Sequence, residues 1–239
     1  MPLSSPSGTA SAFAAAAPDA TAAASGTLAL RLPDLWLVRH GESTWNIAGL
    51  AQGHNDEAVL TERGLDQAAE AAAEFGYRPV RAIYASDLSR AQQTAAAFAA
   101  VVGLPVLADA RLRERCLGVL EGTPLNSISA SVTGVADGLV IDPDARPGSG
   151  ESLRDLYLRA AAFCDDLAAG LGGGFPGLTE AGPASSAGDV LVIAHGGTVR
   201  VLDAYIHGVP VDQMTWRPVG NATIVRIPEF GSQPRGGCR

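Results

Sequence analysis

Two apolar runs without polar alternation frame the chain, Leu35-Trp36-Leu37-Val38 and, far downstream, Val190-Leu191-Val192-Ile193-Ala194. Runs this short and uniform predict strands buried on both faces, as in a parallel sheet. Each stops at a histidine–glycine pair, Arg39-His40-Gly41 and His195-Gly196-Gly197. Between them the period changes. Leu65, Ala68, Ala69, Ala72 and Phe75 predict the buried stripe of a helix that Thr61 caps, Glu62 favours and Gly76 ends. Arg81–Ala85 reads as the next strand, and Ser86 as the cap of a helix running to Val102 and stopped by Gly103. Val106-Leu107 makes a short strand. Leu153, Leu156, Tyr157, Ala160, Cys164 and Leu167 keep helical spacing behind a Ser152 cap, with Gly170 closing the helix. Thr198 to His207 reads as a short helix and Thr223–Ile227 as the last strand.

The rest of the chain lacks such a pattern. Residues 1–30 carry a single charge, Asp19, and few large apolar groups. A segment of that kind cannot offset its ordering entropy, which predicts a disordered tail. It has no basic n-region, and Ala14–Ala17 is too short and too weakly apolar for a signal peptide's core. Residues 123–150 form a long small-residue loop whose one cation is Arg146, a length that usually means function or disorder. Gly170 to Gly188 reads as a flexible linker; its GLGGGF stretch has no strand before it and no helix after it, so a nucleotide loop is rejected. The segment from 229 to 239 reads as a flexible tail. With 239 residues, 47% of them hydrophobic, one folded domain over 31–228 is expected.

Charge narrows the chemistry. A net charge of −8 argues against nucleic acid or an anionic membrane as partner. All 17 basic residues are arginine, which excludes lysine Schiff bases and a Walker A loop. Three scattered cysteines suggest neither a disulfide framework nor a zinc site, so a reducing, cytoplasmic setting is expected. No apolar run is long enough to span a membrane. In open α/β sheets ligands bind beyond the carboxyl ends of the strands, so His40 and His195 are expected to face one pocket. Arg90 falls in the first turn of its helix, where a cation opposes the macrodipole; such a breach of a local rule marks a candidate site. His54 and His207 read as ordinary surface or capping histidines.

Leu37 to Ser43 (LVRHGES), followed by Trp45-Asn46, resembles the signature of the histidine phosphatase (phosphoglycerate mutase-like) superfamily. Similar blocks follow in order: Leu60-Thr61-Glu62-Arg63-Gly64, Ser86 to Ala95, Leu112 to Gly122 and His195-Gly196-Gly197. The resemblance spans about residues 33–227. It implies a three-layer α/β/α sandwich with a mostly parallel central sheet. It also implies a metal-independent, cofactor-free enzyme acting on a small phosphate ester through a phosphohistidine; a homodimer is left open.

In that reading His40 attacks phosphorus, and Arg39, Asn46, Arg90, His195 and Gly196 hold the phosphoryl group, His195 as a donor if cationic. Glu114 protonates the leaving oxygen, with Leu112, Leu117 and Leu120 expected to desolvate it while Arg113 and Arg115 oppose. Three readings stay open. Gly197, where the mutases usually have Asn, and a loop poor in cations favour a phosphatase. Arg115 and Leu120 look more like the mutases. A family member repurposed for binding or other chemistry is the third.

Overall fold

The computed structural model describes residues 33–170 and 188–230. The expected tail over 1–30, the bulk of the linker after Gly170 and residues 231–239 lie outside the described residues.

In chain order the elements are β1 (Leu35–Arg39), α1 (Thr44–Ile47), α2 (Glu62–Phe75), β2 (Val80–Ala85), α3 (Ser89–Val102) and β3 (Val106–Ala108). There follow α4 (Ala130–Thr133), β4 (Val135–Ala136), β5 (Leu139–Val140), α5 (Leu153–Gly170), β6 (Asp189–Ala194), α6 (Gly196–Ile206) and β7 (Ile224–Ile227). The five-stranded sheet has the order β3-β2-β6-β1-β7, parallel except for β7, which runs antiparallel to β1. Each central strand feeds both faces, because successive side chains alternate. Leu35, Leu37, Val190 and Val192 pack with α5 and α6; Val38, Ile83, Leu191 and Ile193 pack with α2 and α3 through Phe75 and Phe98. The fold is a three-layer α/β/α sandwich. Each of these fully buried aliphatic side chains stabilises it by about 1.5–3 kcal/mol.

The pairing of β1 with β6 positions everything chemical. Arg39 stands opposite Ala194, and His40 N–H donates to Ala194 O at 3.0 Å, so His40 and His195 leave the sheet side by side.

Local expectations fail where packing overrides pattern. In α2, Leu65 is 47% exposed and Ala69 is exposed, while Gly64 and Ala71 turn inward. The cause is a backbone contact: a Cβ on Gly64 would overlap Glu42 O, and one on Gly41 would overlap Gly64 O. That close approach rolls α2 onto its small-residue side. Ser86 does not cap α3, whose N-cap is Leu88 without a side-chain bond. α6 begins at Gly196, immediately after His195. Residues 123–150 are ordered into short 3₁₀ turns, α4 and the β4–β5 hairpin. The described start of the expected tail is docked: Phe230 is 2% exposed, its N–H donates to Pro33 O, and Glu229 N–H donates to Asp34.

Candidate active site

His40 and His195 meet edge to face, ring centroids 5.2 Å apart, at the floor of a cavity of about 410 Å³. His40 Nδ1 lies 2.7 Å from Gly41 O. A carbonyl only accepts, so Nδ1 carries the proton and Nε2 keeps its lone pair. Burial holds the His40 imidazole well below its usual range, with Arg90 and Arg39 adding to the drop and the Gly41 bond opposing it. His195 is held down by burial, then by Arg90 and His40. It is therefore neutral at pH 7 in the free site, not cationic. Its Nε2 bonds Ser86 Oγ at 2.8 Å, and its Nδ1 is buried without a partner among the described residues. Ser86, expected as a helix cap, serves this imidazole instead.

Arg90 is fully buried, and Gly53 O and Asn55 O accept from its two terminal nitrogens at 2.8 Å. Burial brings its pKa down to about 10 against the pull of Glu114, Asp56 and Glu121. No ion pair joins it to Asp87, which is taken by Arg113 in a two-pronged bond at 2.7 and 2.5 Å. Arg39 donates to Val219 O. Arg39 Nε and Arg90 Nε are both buried without partners among the described residues. Asn46 Oδ1 accepts from Ser43 N–H and from Asn221 Nδ2, each at 3.1 Å. Gln52, which sequence reading passed over, also lines the cavity and bonds Ser43 Oγ at 3.0 Å.

Glu114 faces this cluster. Arg115 N–H donates to its Oε1 and Gly197 N–H to its Oε2, both at 2.8 Å. The Gly197 N–H, in the first turn of α6, thus serves the carboxylate. Of the expected neighbours, Leu112 belongs to the core and Leu117 lines the cavity. His54 is no ordinary surface histidine: its Nε2 lies 2.8 Å from Glu114 O. Arg159 of α5 donates to Arg111 O, Arg113 O and Glu114 O and pairs with Glu151, clamping the loop that carries Glu114.

The distal wall comes from the 123–150 segment and from the chain after α6. Arg146, its expected cation, pairs outside with Asp155. Arg115 is buried and its guanidinium donates to Glu151 O, Thr133 O and Ala145 O. The cation that sequence reading missed is Arg200, which lines the cavity and lies over the Trp216 ring at 4.6 Å. The available signal was its spacing: Arg200 follows Gly196 by one helical turn, on the same face.

Two buried imidazoles, two arginines whose buried Nε donors are orphaned among the described residues and one carboxylate at the carboxyl end of a parallel sheet define an anion-handling α/β protein. The family model of the histidine phosphatase superfamily (branch 1) matches residues 35–235, and the chain belongs to that superfamily. It is 35% identical over 204 residues to a glucosyl-3-phosphoglycerate phosphatase of Mycolicibacterium vanbaalenii, covering 83% of this chain and 85% of the relative. A Yersinia pestis protein described as probable phosphoglycerate mutase GpmB is 32% identical over 194 residues, covering 81% and 83%. Among solved structures, a mycobacterial glucosyl-3-phosphoglycerate phosphatase in complex with VO3 superposes with a TM-score of 0.68 at 32% identity, over 84% of this chain and 94% of that one.

Proposed function

We propose that this protein is a phosphatase that hydrolyses a small phosphomonoester through a phosphoryl-His40 intermediate, without a metal. One observation carries the reading. Among the described residues, Arg39 Nε, Arg90 Nε and His195 Nδ1 are buried polar atoms without partners, all on residues lining one cavity. An unsatisfied buried donor costs about 1–3 kcal/mol; a phosphoryl group, with three acceptor oxygens, satisfies all of them.

The steps follow from geometry. Neutral His40 presents the Nε2 lone pair and attacks phosphorus without a separate base. Arg39 and Arg90 neutralise the phosphoryl oxygens with planar forks, and the Asn46 amide adds a donor. Ser86 Oγ accepts from Leu88 N–H and lies 2.8 Å from His195 Nε2; with the hydroxyl proton turned to that nitrogen, the His195 proton stands on Nδ1. The neutral ring is then already a donor aimed at developing charge. Glu114 protonates the leaving oxygen, then takes a proton from the water that attacks phospho-His40.

The positive charge a phosphoryl group needs comes from arginine, so activity should survive chelator. His40→Ala should abolish turnover, and rapid acid-free quenching should trap a phosphoenzyme whose labelled peptide contains His40. Hydrolysis and transfer separate in one experiment: enzyme, 3-phosphoglycerate and a trace of the bisphosphate followed by phosphorus NMR. Release of inorganic phosphate supports the phosphatase; isomerisation to 2-phosphoglycerate without release overturns it. Revival of chelated enzyme by a divalent ion would sink the metal-free claim.

A further inference from the structure

Glu114 stands on a loop, but the carbonyls on both sides of its α-carbon each accept two hydrogen bonds. Arg113 O accepts from Arg159 Nη1 at 3.0 Å and from Thr198 Oγ1 at 2.7 Å. Glu114 O accepts from Arg159 Nη2 at 3.1 Å and from His54 Nε2 at 2.8 Å, the imidazole donating because a carbonyl only accepts. Fixing the two planar peptide groups fixes the direction in which the Glu114 side chain leaves the backbone. That direction carries its carboxylate to the N–H groups of Arg115 and Gly197.

One side chain reaches both carbonyls, and it has no donor left for a ligand. Arg159 Nη1 also donates to Arg111 O at 2.7 Å, while Nε and Nη2 donate to the two oxygens of Glu151 at 2.9 and 2.8 Å. Together these contacts use every N–H of the guanidinium. Arg159 does not line the cavity. Glu151 locks the arrangement: its Oε2 accepts from Cys116 N–H at 2.9 Å, its N–H donates to Cys116 O, and its O accepts from Arg115 Nε. Arg159 lies in the second turn of α5, where Leu156 and Ala160 are buried in the core. An ion pair between side chains left 17% and 22% exposed adds little stability by itself. What the pair supplies is a fixed place for the guanidinium.

We propose that Arg159, locked by Glu151, is a positioning residue for proton transfer, holding Glu114 in reach of the oxygen that leaves phosphorus. As the bond from His40 Nε2 to phosphorus forms and the ester P–O bond breaks, that oxygen takes the Glu114 proton. A donor displaced by about 1 Å delivers it on the order of 100-fold more slowly. Arg159 acts through Glu114 and touches neither substrate nor reacting atoms. The proposal rests on the phosphatase reading in which Glu114 is the acid.

The test compares glycerol 3-phosphate, whose leaving oxygen needs a proton, with p-nitrophenyl phosphate, whose leaving group does not. The ratio of their kcat/KM values is independent of how much of a variant is folded. Arg159→Gln should lower that ratio about 10- to 100-fold, and should add nothing to Glu114→Gln in the double variant. Arg159→Lys, which keeps the charge but loses the fork, and Glu151→Gln should lower it less; they carry the comparison if Arg159→Gln does not fold. A loss equal on both esters, or one that persists in full beside Glu114→Gln, overturns the proposal. Should the wild-type enzyme release phosphate from neither ester, the phosphatase reading fails, and binding of inorganic phosphate by calorimetry decides the role of Arg159. Glu114→Gln removes a carboxylate facing the anion and should tighten Kd. Arg159→Gln should shift Kd the same way by displacing that carboxylate, with no further shift in the double variant; an absent or additive shift overturns the positioning role.

Discussion

At Gly197 the missing side chain determines where the Glu114 carboxylate can stand. A Cβ there would overlap Glu114 Oε1, the far end of a flexible side chain. Gly197→Ala should therefore spare the fold and displace the carboxylate. We expect melting to change little, and kcat to fall by about 100-fold on an alkyl phosphate, within the usual contribution of a general acid. The fall should be much smaller on p-nitrophenyl phosphate, whose leaving group departs without a proton. Equal losses on both esters would show that Glu114 is not the acid. The two imidazoles supply a second test at this scale. Burial and Arg90 hold both below their usual range, so ring NMR titrations should find His40 and His195 still neutral at pH 6.

Among the elements, α2 shows how backbone contact outranks side-chain pattern. Its apolar spacing favours an inward Leu65, yet the Gly64–Glu42 approach decides the rotation. Gly64→Ala has only backbone to push against and should cost about 1–3 kcal/mol in denaturant unfolding. Leu65→Ala should fall within about 0.5 kcal/mol, as surface changes do. A larger loss at Leu65 than at Gly64 would restore the helix face that spacing alone suggests. The 123–150 segment makes the complementary point. Its sequence has no period, and its order comes from contacts: Leu139 bridges to Thr215, Arg115 is anchored on Thr133 O and Ala145 O, and Arg154 N–H donates to Pro143 O.

For the molecule as a whole, the buried histidines make stability depend on pH. In the unfolded chain they take up protons near pH 6.5; in the folded chain they resist doing so. The unfolded state therefore binds more protons below that pH, and stability, complete above it, is lost as pH falls. The slope is about 1.4 kcal/mol per pH unit for each histidine within the window. Carboxylates add a second decline below their ordinary range. Arg113 holds Asp87 low, and in Glu151 the bonds from Arg159 and Cys116 N–H outweigh the upward push of burial. Urea unfolding from pH 8 to 4 should show stability falling from about pH 6.5 downward and then more steeply. A flat profile between pH 6.5 and 5 would contradict neutral buried imidazoles.

The sequence by itself determined the central strands β1 and β6, because uninterrupted apolar runs have no stable place except between two layers. It also determined the pairing of His40 with His195, because both runs end in the same way. Arg39 ends the first run and Arg90 breaks the macrodipole rule at its helix start, whereas Asn46 and Glu114 are marked by the resemblance of their blocks to the superfamily. Tertiary structure alone decided the partners. Ser86 on His195, Gly197 on Glu114, Arg159 and His54 on the Glu114 loop, and Arg200 beside Arg39 are contacts between distant segments. Apart from the one-turn spacing of Arg200 from Gly196, sequence pattern carries no signal for them, since a hydrogen bond or a charge contact across the fold depends on where the sheet and helices set the chain, not on the residues beside it.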